Sequence, residues 1–372
     1  MRICILVRVL WPGGVQRIAF NIAEGLTNLD QDVDLIFIRD TDRVKYTTFV
    51  NYKILNRPRA KKGVKNKLLS MITQMFSPER GVDSTIDVDY IWKARKTLRG
   101  YDVVLYFDEF SALFSNPLGK SPAQRKYVFI HEVKNSTLWS IFQKFAMISA
   151  DGVITNSKNN GKLLENMGYN NILAVHPGTH LSLQNAEFSD RKDLIVSVTM
   201  WDMGRKPEVF LELASKIVVG RIYLVGNWTD ETYKRKIEKI ILERNLTKKI
   251  AIKGAVSENE LVNIYMEAKV FIRFGYDEKG PGMGVLEALG YGLPIIINEG
   301  IGATEFIQDG INGFVVDHQK LDIVALRVSQ IITDENLWER MRINNKELAK
   351  SMSWEEYNKK LLAFLKKPAN PE

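Results

Sequence analysis

Twelve short segments that are almost wholly apolar recur along the chain, and they constrain its fold more than any other feature. Segments such as "ICILVRVL" (from Ile3) and "LPIIIN" (from Leu293) are apolar at nearly every position rather than at alternate positions. Strands buried on both faces of a parallel sheet have this pattern. Segments with helical character lie between many of them, at Val15–Thr27, Lys158–Met167, Pro207–Lys216, Glu231–Arg244, Glu258–Ala268 and Gly284–Gly290. The alternation predicts an α/β protein built from parallel sheets.

The strand-like segments fall into two groups of six, which predicts two Rossmann-like domains in a chain of 372 residues. The polar stretch Leu181–Asp193 has neither strand nor helix periodicity, and we place the join there. The predicted N-terminal domain covers residues 1–185 and the C-terminal domain covers residues 186–353. After Asp317 the pattern is wholly helical, and it ends in a helix at about 354–367 with apolar residues on one face.

Cysteine content and hydropathy exclude several classes of protein. Cys4 is the only cysteine, so an internal disulfide and a cysteine-rich metal site are excluded. The first apolar run is short and contains Arg8, unlike a signal peptide, and no stretch reaches the roughly 20 apolar residues of a spanning helix. We therefore expect a cytoplasmic protein.

Positive charge is concentrated in the first half of the chain. Residues 1–185 contain 25 Lys and Arg against 16 Asp and Glu, out of 52 and 44 in the whole chain. A basic half favours an anionic partner, although solubility alone is an alternative explanation. No nucleic-acid-binding module is recognisable, so we do not expect nucleic acid. The basic and then apolar stretch Arg57–Phe76 favours peripheral contact with an anionic membrane, the alternative being a solvated loop and a core helix.

The loops that follow the strands hold the candidate functional residues, because ligands of such sheets bind beyond the carboxyl ends of the strands. Gly13 and Gly14 follow the first strand and open a helix, although they do not form the G-x-G-x-x-G dinucleotide motif and a tight turn is the alternative. His131 ends a strand, where it is either functional or structural. Arg205 and Lys206 are placed to grip a pyrophosphate, or else they form a solvated turn.

The stretch "DEKGPGMGVLEALGYGLPIII" from Asp277 to Ile297 has the most specific pattern. Its glycines let the backbone approach a ligand at a helix N-terminus, where anions are favoured. Glu287 lies one turn inside the helix, and a carboxylate there can accept two hydrogen bonds from vicinal hydroxyls. The pattern suits a ribose beside a diphosphate, with a helix-dipole acid as the alternative.

Taken together, these motifs resemble the retaining glycosyltransferases of family 4, which have the GT-B fold of two Rossmann-like domains facing across a cleft. The resemblance covers nearly the whole chain and includes "GRKP", "GPGMGVLEALGYGLPII" and "EFIQDGINGFVVD" in the family's order. It implies transfer of a sugar from a nucleoside-diphosphate donor, a UDP- or GDP-sugar, to a lipid-linked or saccharide acceptor. It also implies a metal-independent reaction without a cofactor, and a C-terminal helix that crosses back to the N-terminal, acceptor-binding domain.

The resemblance further implies roles for individual residues. Arg205 and Lys206 would neutralise the leaving diphosphate, Glu287 would bind the ribose, and His131 would touch the donor sugar. The other donor-binding residues implied in this way are Gly13, Gly14, Gly226, Lys253, Gly254, Gly282, Met283 and Gly284. The D-x-D strings Asp32–Asp34 and Asp87–Asp89 are not expected to bind a metal.

Two positions depart from the family pattern. The family's first acid precedes Glu287 by eight residues, where this chain has Lys279, with Glu278 one step away. Either of the two therefore takes the catalytic position that contacts the sugar. A basic residue that the family often places six before the lysine of "RK" is Met200 here. Two other functions stay open: a non-catalytic sugar-nucleotide-binding subunit and a two-Rossmann sugar-nucleotide epimerase.

Overall fold

The computed structural model describes residues 1–10, 13–40, 48–55, 97–109, 111–112, 123–133, 137–182, 186–276 and 278–367. The chain divides into two compact units, Met1–Val175 with Asn358–Glu372, and His176–Tyr357. The division lies ten residues before the predicted boundary at 185, and the chain from Asn358 onward belongs to the first unit. The segment Arg57–Phe76 and the string Asp87–Asp89 lie outside the described residues.

The N-terminal unit contains a parallel sheet in the order β3-β2-β1-β4-β5-β6-β7. Its strands are β1 (Arg2–Leu10), β2 (Asp32–Asp40), β3 (Tyr52–Ile54), β4 (Val103–Tyr106), β5 (Arg125–Ile130), β6 (Gly152–Thr155) and β7 (Ile172–Ala174). Its helices include α1 (Gly14–Asn28), α2 (Thr137–Ile148) and α3 (Lys158–Asn166). The strand order reverses between β1 and β4, so the loops after these two strands diverge at one edge of the sheet.

The C-terminal unit contains a second parallel sheet, in the order β10-β9-β8-β11-β12-β13. Its strands are β8 (Leu194–Val198), β9 (Arg221–Val225), β10 (Ile250–Gly254), β11 (Val270–Arg273), β12 (Ile295–Asn298) and β13 (Gly313–Val316). Its helices are α4 (Glu208–Lys216), α5 (Glu231–Glu243), α6 (Glu258–Glu267), α7 (Met283–Gly290), α8 (Leu321–Thr333) and α9 (Glu335–Ser351). Here the order reverses between β8 and β11.

The last helix, α10 (Trp354–Lys366), begins in the C-terminal unit and continues in the N-terminal one. In the N-terminal unit, Phe364 packs edge-on against Tyr127 of β5 with ring centroids 5.5 Å apart. The amide of Asn358 donates to the carbonyl of Asn21 in α1 at 3.3 Å. The end of the chain is therefore part of the packing of the first unit.

The predicted fold class, α/β with two Rossmann-like parallel-sheet domains, is confirmed. The sequence prediction missed two elements of the N-terminal unit, β3 and α2. β3 has three residues and alternates in exposure, so it lacks the continuous apolar pattern used to identify the others. Among the described residues, no helix is both long enough and apolar enough to cross a membrane.

Candidate functional site

The reversal of strand order between β8 and β11 locates the candidate site in the C-terminal unit. On one side of this pair the sheet continues through β9 and β10, and on the other through β12 and β13. The loops after β8 and β11 therefore leave in opposite directions and open a crevice at the carboxyl end of the sheet. The first loop contains Arg205 and Lys206, and the second contains Glu278 and Lys279.

The loop after β8 is fixed by Trp201 and Asp202. The indole Nε1 of Trp201 donates to the carbonyl of Val225 at 3.0 Å, which ties the loop to the end of β9. The carboxylate of Asp202 accepts from the amide of Arg205 at 2.9 Å and caps a short 3-10 turn. Lys206 ends that turn in the left-handed conformation, with φ 44°. Such a conformation is unfavourable for a residue with a Cβ and is common at functional sites.

Lys206 extends its ammonium group over the face of Tyr276, 4.1 Å from the ring centroid. Within the described ranges it makes no ion pair with a carboxylate. The ring holds the cation without neutralising it, so its charge is available to an anionic ligand.

Hydrogen bonds from the Asn298 side chain and the Gly302 amide hold the loop after β11 in place. The side chain of Asn298 accepts from the amide of Gly275 at 2.8 Å and donates to its carbonyl at 2.9 Å. The amide of Gly302 donates to the carbonyl of Glu278 at 2.9 Å. A Cβ at Gly302 would lie 2.3 Å from the carbonyl oxygen of Lys279, so only glycine permits this close packing.

The glycines that open α7 have two different structural causes. Gly282 is the N-cap and has φ 75°, which favours glycine. Gly284 lies against the end of β8, where a Cβ would be 2.5 Å from the carbonyl oxygen of Val198. The first turn of α7 therefore lies close to the end of β8, and its first amides, at Met283 and Gly284, have no acceptor four residues back within the helix.

Arg273, which the sequence prediction missed, joins Arg205 and Glu278 in an ion cluster. Oε2 of Glu278 accepts from Nη1 of Arg205 at 2.9 Å and from Nη2 of Arg273 at 2.7 Å. Arg273 is only 4% exposed. Burial lowers the pKa of Arg273, and Glu278 opposes that change. A single charged residue at the end of the apolar run "VFIR" is the signal that would have identified it.

Glu287 is oriented by Tyr265, another residue that the sequence prediction missed. The phenol of Tyr265, which is buried in α6, donates to Oε2 of Glu287 at 2.8 Å. The ring of Tyr265 stacks on that of Tyr291 with centroids 5.0 Å apart, and Tyr291 is one turn after Glu287. The phenol of Tyr265 therefore orients the predicted ribose-binding carboxylate, and the stacked ring of Tyr291 supports Tyr265.

Gly226 and Gly254 meet at the ends of β9 and β10, where the amide of Gly226 donates to the carbonyl of Gly254 at 2.7 Å. Both residues have positive φ, 123° and 67° respectively. The ammonium group of Lys253 lies over Tyr223, 4.7 Å from the ring centroid. The hydrogen bond between the two glycines joins the carboxyl ends of β9 and β10. The ammonium group of Lys253 is directed to the ring of Tyr223.

In the N-terminal unit, His131 follows β5 and is held by aromatic stacking. Its ring stacks on Phe129 with centroids 4.5 Å apart, and Nε2 is buried without a hydrogen-bond partner among the described residues. Burial lowers the pKa of His131 to about 4, against the opposing effects of a hydrogen bond to the Phe107 backbone and the charge of Asp108. The imidazole is therefore neutral near pH 7. Gly13 and Gly14, also in this unit, cap and open α1.

Replacing His131 with Phe is expected to reduce the acid sensitivity of the protein. The folded-state pKa of about 4 lies below the usual 6.5, so the unfolded chain takes up a proton first. The stabilisation is complete above pH 6.5 and is lost as pH falls toward 4. Urea unfolding across this range should show a steeper loss of stability for the wild type than for His131→Phe. Equal pH dependence of the two proteins would contradict a buried neutral imidazole.

Comparison with known proteins identifies the C-terminal unit. The sequence profile of the family "Glycosyl transferases group 1" matches residues 184–348. The match lies within the C-terminal unit. The resemblance to a glycosyltransferase family that the sequence motifs predict is confirmed for this part of the chain.

Two curated relatives illustrate the extent of the similarity. An uncharacterized glycosyltransferase of Methanocaldococcus jannaschii is 25% identical over 223 residues, 60% of this chain and 61% of that protein. A GDP-mannose-dependent alpha-(1-6)-phosphatidylinositol monomannoside mannosyltransferase of Mycobacterium tuberculosis is 28% identical over 141 residues, 36% of this chain and 37% of that protein. The chain thus matches less than two thirds of the length of these relatives.

Solved structures agree in fold over nearly the whole chain. Anabaena HepE in complex with UDP and glucose has a TM-score of 0.78 at 14% identity, with 98% of this chain and 99% of that chain covered. A sucrose-phosphate synthase of Thermosynechococcus elongatus has a TM-score of 0.72 at 16% identity, with 97% of each chain covered. At these identities the likeness establishes the GT-B fold alone.

Proposed function

We propose that the protein transfers a hexosyl group from a UDP- or GDP-sugar to an acceptor hydroxyl, with retention of the anomeric configuration and without a metal ion. The observation that carries the proposal is the crevice at the reversal between β8 and β11. Arg205 and Lys206 lie on one of its loops, the open N-terminus of α7 follows the other, and Glu287 lies one turn further on. The names of the relatives, a GDP-mannose-dependent mannosyltransferase and a HepE crystallised with UDP, support a nucleotide-sugar donor.

Charge separation is the main barrier in such a transfer, and the crevice is suited to stabilise it. As the bond from the anomeric carbon to the phosphate oxygen breaks, positive charge develops on the sugar and negative charge on the diphosphate. The ammonium group of Lys206 and the N–H groups of the α7 N-terminus are fixed before the reaction, so they stabilise that negative charge without reorganising.

Retention follows, in this proposal, from attack on the same face that the diphosphate leaves. The acceptor oxygen bonds to the anomeric carbon as the phosphate departs, and the leaving phosphate oxygen takes the proton of the acceptor hydroxyl. The role of the protein is to hold the diphosphate in place and to exclude water. His131, whose neutral ring has a buried Nε2 acceptor, is proposed to contact the donor sugar.

A lipid-linked or saccharide acceptor is the class that we propose. The basic excess of residues 1–185 and the segment Arg57–Phe76 favour an anionic or membrane-associated acceptor. The mycobacterial relative is named for a phosphatidylinositol monomannoside, which supports an acceptor of this kind. We propose a cytoplasmic protein that associates peripherally with the cytoplasmic face of the membrane.

Binding of UDP or GDP to the isolated protein tests the donor site, and Glu287→Ala is the decisive variant. The wild type should be stabilised against heat by one of the two nucleotides. Glu287→Ala should bind that nucleotide about 10- to 100-fold more weakly, because two hydrogen bonds from the ribose to a charged group are lost. Tyr265→Phe should weaken binding in the same direction but less, since the carboxylate remains.

Isothermal titration calorimetry would measure these affinities, with Glu243→Ala as the control. Glu243 is an exposed acid at the end of α5 in the same unit, and its loss should leave affinity unchanged. Unchanged affinity in Glu287→Ala would remove Glu287 from the ribose role. Absence of binding of either nucleotide to the wild type would contradict the proposed donor site.

A further inference from the structure

The side chain of Arg273 occupies an unusual position for a charged group. It is at the carboxyl end of β11, a strand whose four residues are all buried, and it is 4% exposed itself. A buried guanidinium stays charged and needs a compensating anion. An apolar residue at this position would avoid the cost of burying a charge. The presence of arginine therefore indicates a function for Arg273 beyond packing.

One carboxylate pairs with two guanidinium groups at this point. Oε2 of Glu278 is 2.7 Å from Nη2 of Arg273 and 2.9 Å from Nη1 of Arg205. The carboxylate of Asp202 is engaged with the amide of Arg205 as the cap of its turn. Its negative charge nevertheless acts on Arg273 and favours the charged form of that guanidinium, as Glu278 does. Two arginines and two carboxylates therefore lie close together, and Glu278 is the carboxylate that contacts both guanidinium groups.

This cluster lies beneath the N-cap of α7. A Cβ placed on Gly282 would be 3.7 Å from Nε of Arg273 and 3.8 Å from Oε1 of Glu278. The carboxylate of Glu278 is thus surrounded by two guanidinium groups and lies beside a helix N-terminus. Phosphate oxygens are commonly bound in such surroundings.

We propose that Glu278 is an internal counter-ion that stands in for a diphosphate oxygen in the unliganded protein. When the donor binds, its diphosphate displaces the Glu278 carboxylate and is held by Arg205 and Arg273. Arg273 is then a second guanidinium of the diphosphate site, which no sequence motif indicated. This inference rests on the proposed donor site and adds a competition within it.

The exchange has a definite sign. A diphosphate carries more negative charge than one carboxylate, so the two guanidinium groups bind it more strongly than they bind Glu278. Breaking their ion pairs with Glu278 nevertheless costs part of the binding free energy. Removing the charge of Glu278 removes the competitor. Neutral Gln at position 278 should therefore increase the affinity for a nucleoside diphosphate, whereas loss of Arg273 should decrease it.

Calorimetric titration of UDP, GDP, UMP and GMP against three proteins tests the inference. Compared with the wild type, Glu278→Gln should bind the preferred diphosphate about 3- to 10-fold more tightly. Arg273→Met should bind it about 10-fold more weakly, and the corresponding monophosphate should change less in both variants. The matched controls are Glu212→Gln and Arg244→Met, which remove the exposed ion pair between α4 and the residue after α5 in the same unit.

The outcomes separate this inference from the proposed function. Equal or weaker diphosphate binding by Glu278→Gln, with normal wild-type binding, would overturn the counter-ion role and leave the donor site standing. Reduced thermal stability of Arg273→Met with unchanged affinity would assign Arg273 to folding alone and would also overturn it. If Arg273→Met does not fold, Glu278→Gln still decides the question. If the wild type binds neither nucleotide, both proposals fail together.

Discussion

Replacing Lys206 with Met is expected to lower the rate of donor turnover by about 100-fold. The ammonium group is held over the ring of Tyr276 at 4.1 Å and is not neutralised by a carboxylate in any salt bridge of the described residues. Its charge is therefore available to the proposed diphosphate, where negative charge would increase as the sugar leaves. Removing one preorganised electrostatic contact of this kind typically costs 10²–10³ in kcat. Release of UDP or GDP from the corresponding sugar nucleotide, with and without a candidate acceptor, measures the rate.

Lys216→Met is the matched control for Lys206→Met. Lys216 lies at the far end of α4, which begins two residues after Lys206, and it pairs with Asp322 on α8. Its replacement should leave turnover unchanged. A fall in nucleotide affinity of Lys206→Met with unchanged turnover would show that Lys206 binds ground state and transition state equally. Such a result would contradict its role in stabilising the departing diphosphate.

The fold could be predicted from the sequence because its strands are buried on both faces. β11 and β12 are apolar along nearly their whole length, and helical segments separate them from their neighbours. The continuous apolar pattern is missing in β3, because its residues are half-buried or exposed. Burial on two faces leaves a signal in a single sequence, whereas a strand of three half-buried or exposed residues does not.

The glycines of the candidate site could be predicted because their role depends on backbone shape, whereas the contacts among its side chains could not. Gly282 and Gly284 are glycine because of a positive φ and a close approach to β8, and both causes leave a motif in the sequence. The pairing of Glu278 with Arg205 and Arg273 joins residues that are 73 and 5 positions apart. The contact of Tyr265 with Glu287 joins different helices. Such contacts depend on tertiary packing, to which local periodicity is insensitive.

The ion cluster of Arg205, Arg273 and Glu278 bears on the departure from the family pattern at Lys279. Glu278 was one of two residues predicted to contact the donor sugar, yet its carboxylate is engaged by two arginines. The assignment of either Glu278 or Lys279 to the sugar stays a prediction. The acid at position 278, one residue before the position that the family pattern gives, is the residue that pairs with the buried Arg273. A shift of one position along a loop can thus change which charged side chain contacts the ligand.

Replacing Gly226 with Ala is expected to lower the free energy of unfolding by about 3–5 kcal/mol. Gly226 has φ 123°, a conformation that L residues rarely adopt, and a Cβ there would lie 1.9 Å from the carbonyl oxygen of Thr199. The neighbouring atom belongs to the backbone, which cannot move aside as a flexible side chain can. The amide of Thr199 donates to the carbonyl of Val225, so the displacement would spread to the ends of β8 and β9. Nucleotide affinity should fall with stability, because the loop that begins at Thr199 also positions Arg205. Thermal and urea unfolding measure the first effect, and calorimetric titration measures the second.

Gly254→Ala separates the two causes of that effect. Gly254 also has a positive φ, 67°, but in the described part of the chain no atom lies within 4 Å of the position of a Cβ. Its replacement should therefore cost about 1 kcal/mol, the strain of a left-handed residue alone. A large difference between the two variants would attribute the loss in Gly226→Ala to the contact with Thr199. Equal destabilisation would instead show that the ends of β8 and β9 are free to separate. In that case the crevice that is proposed to bind the donor would not be preorganised, and the electrostatic role assigned to Lys206 would lose its structural basis.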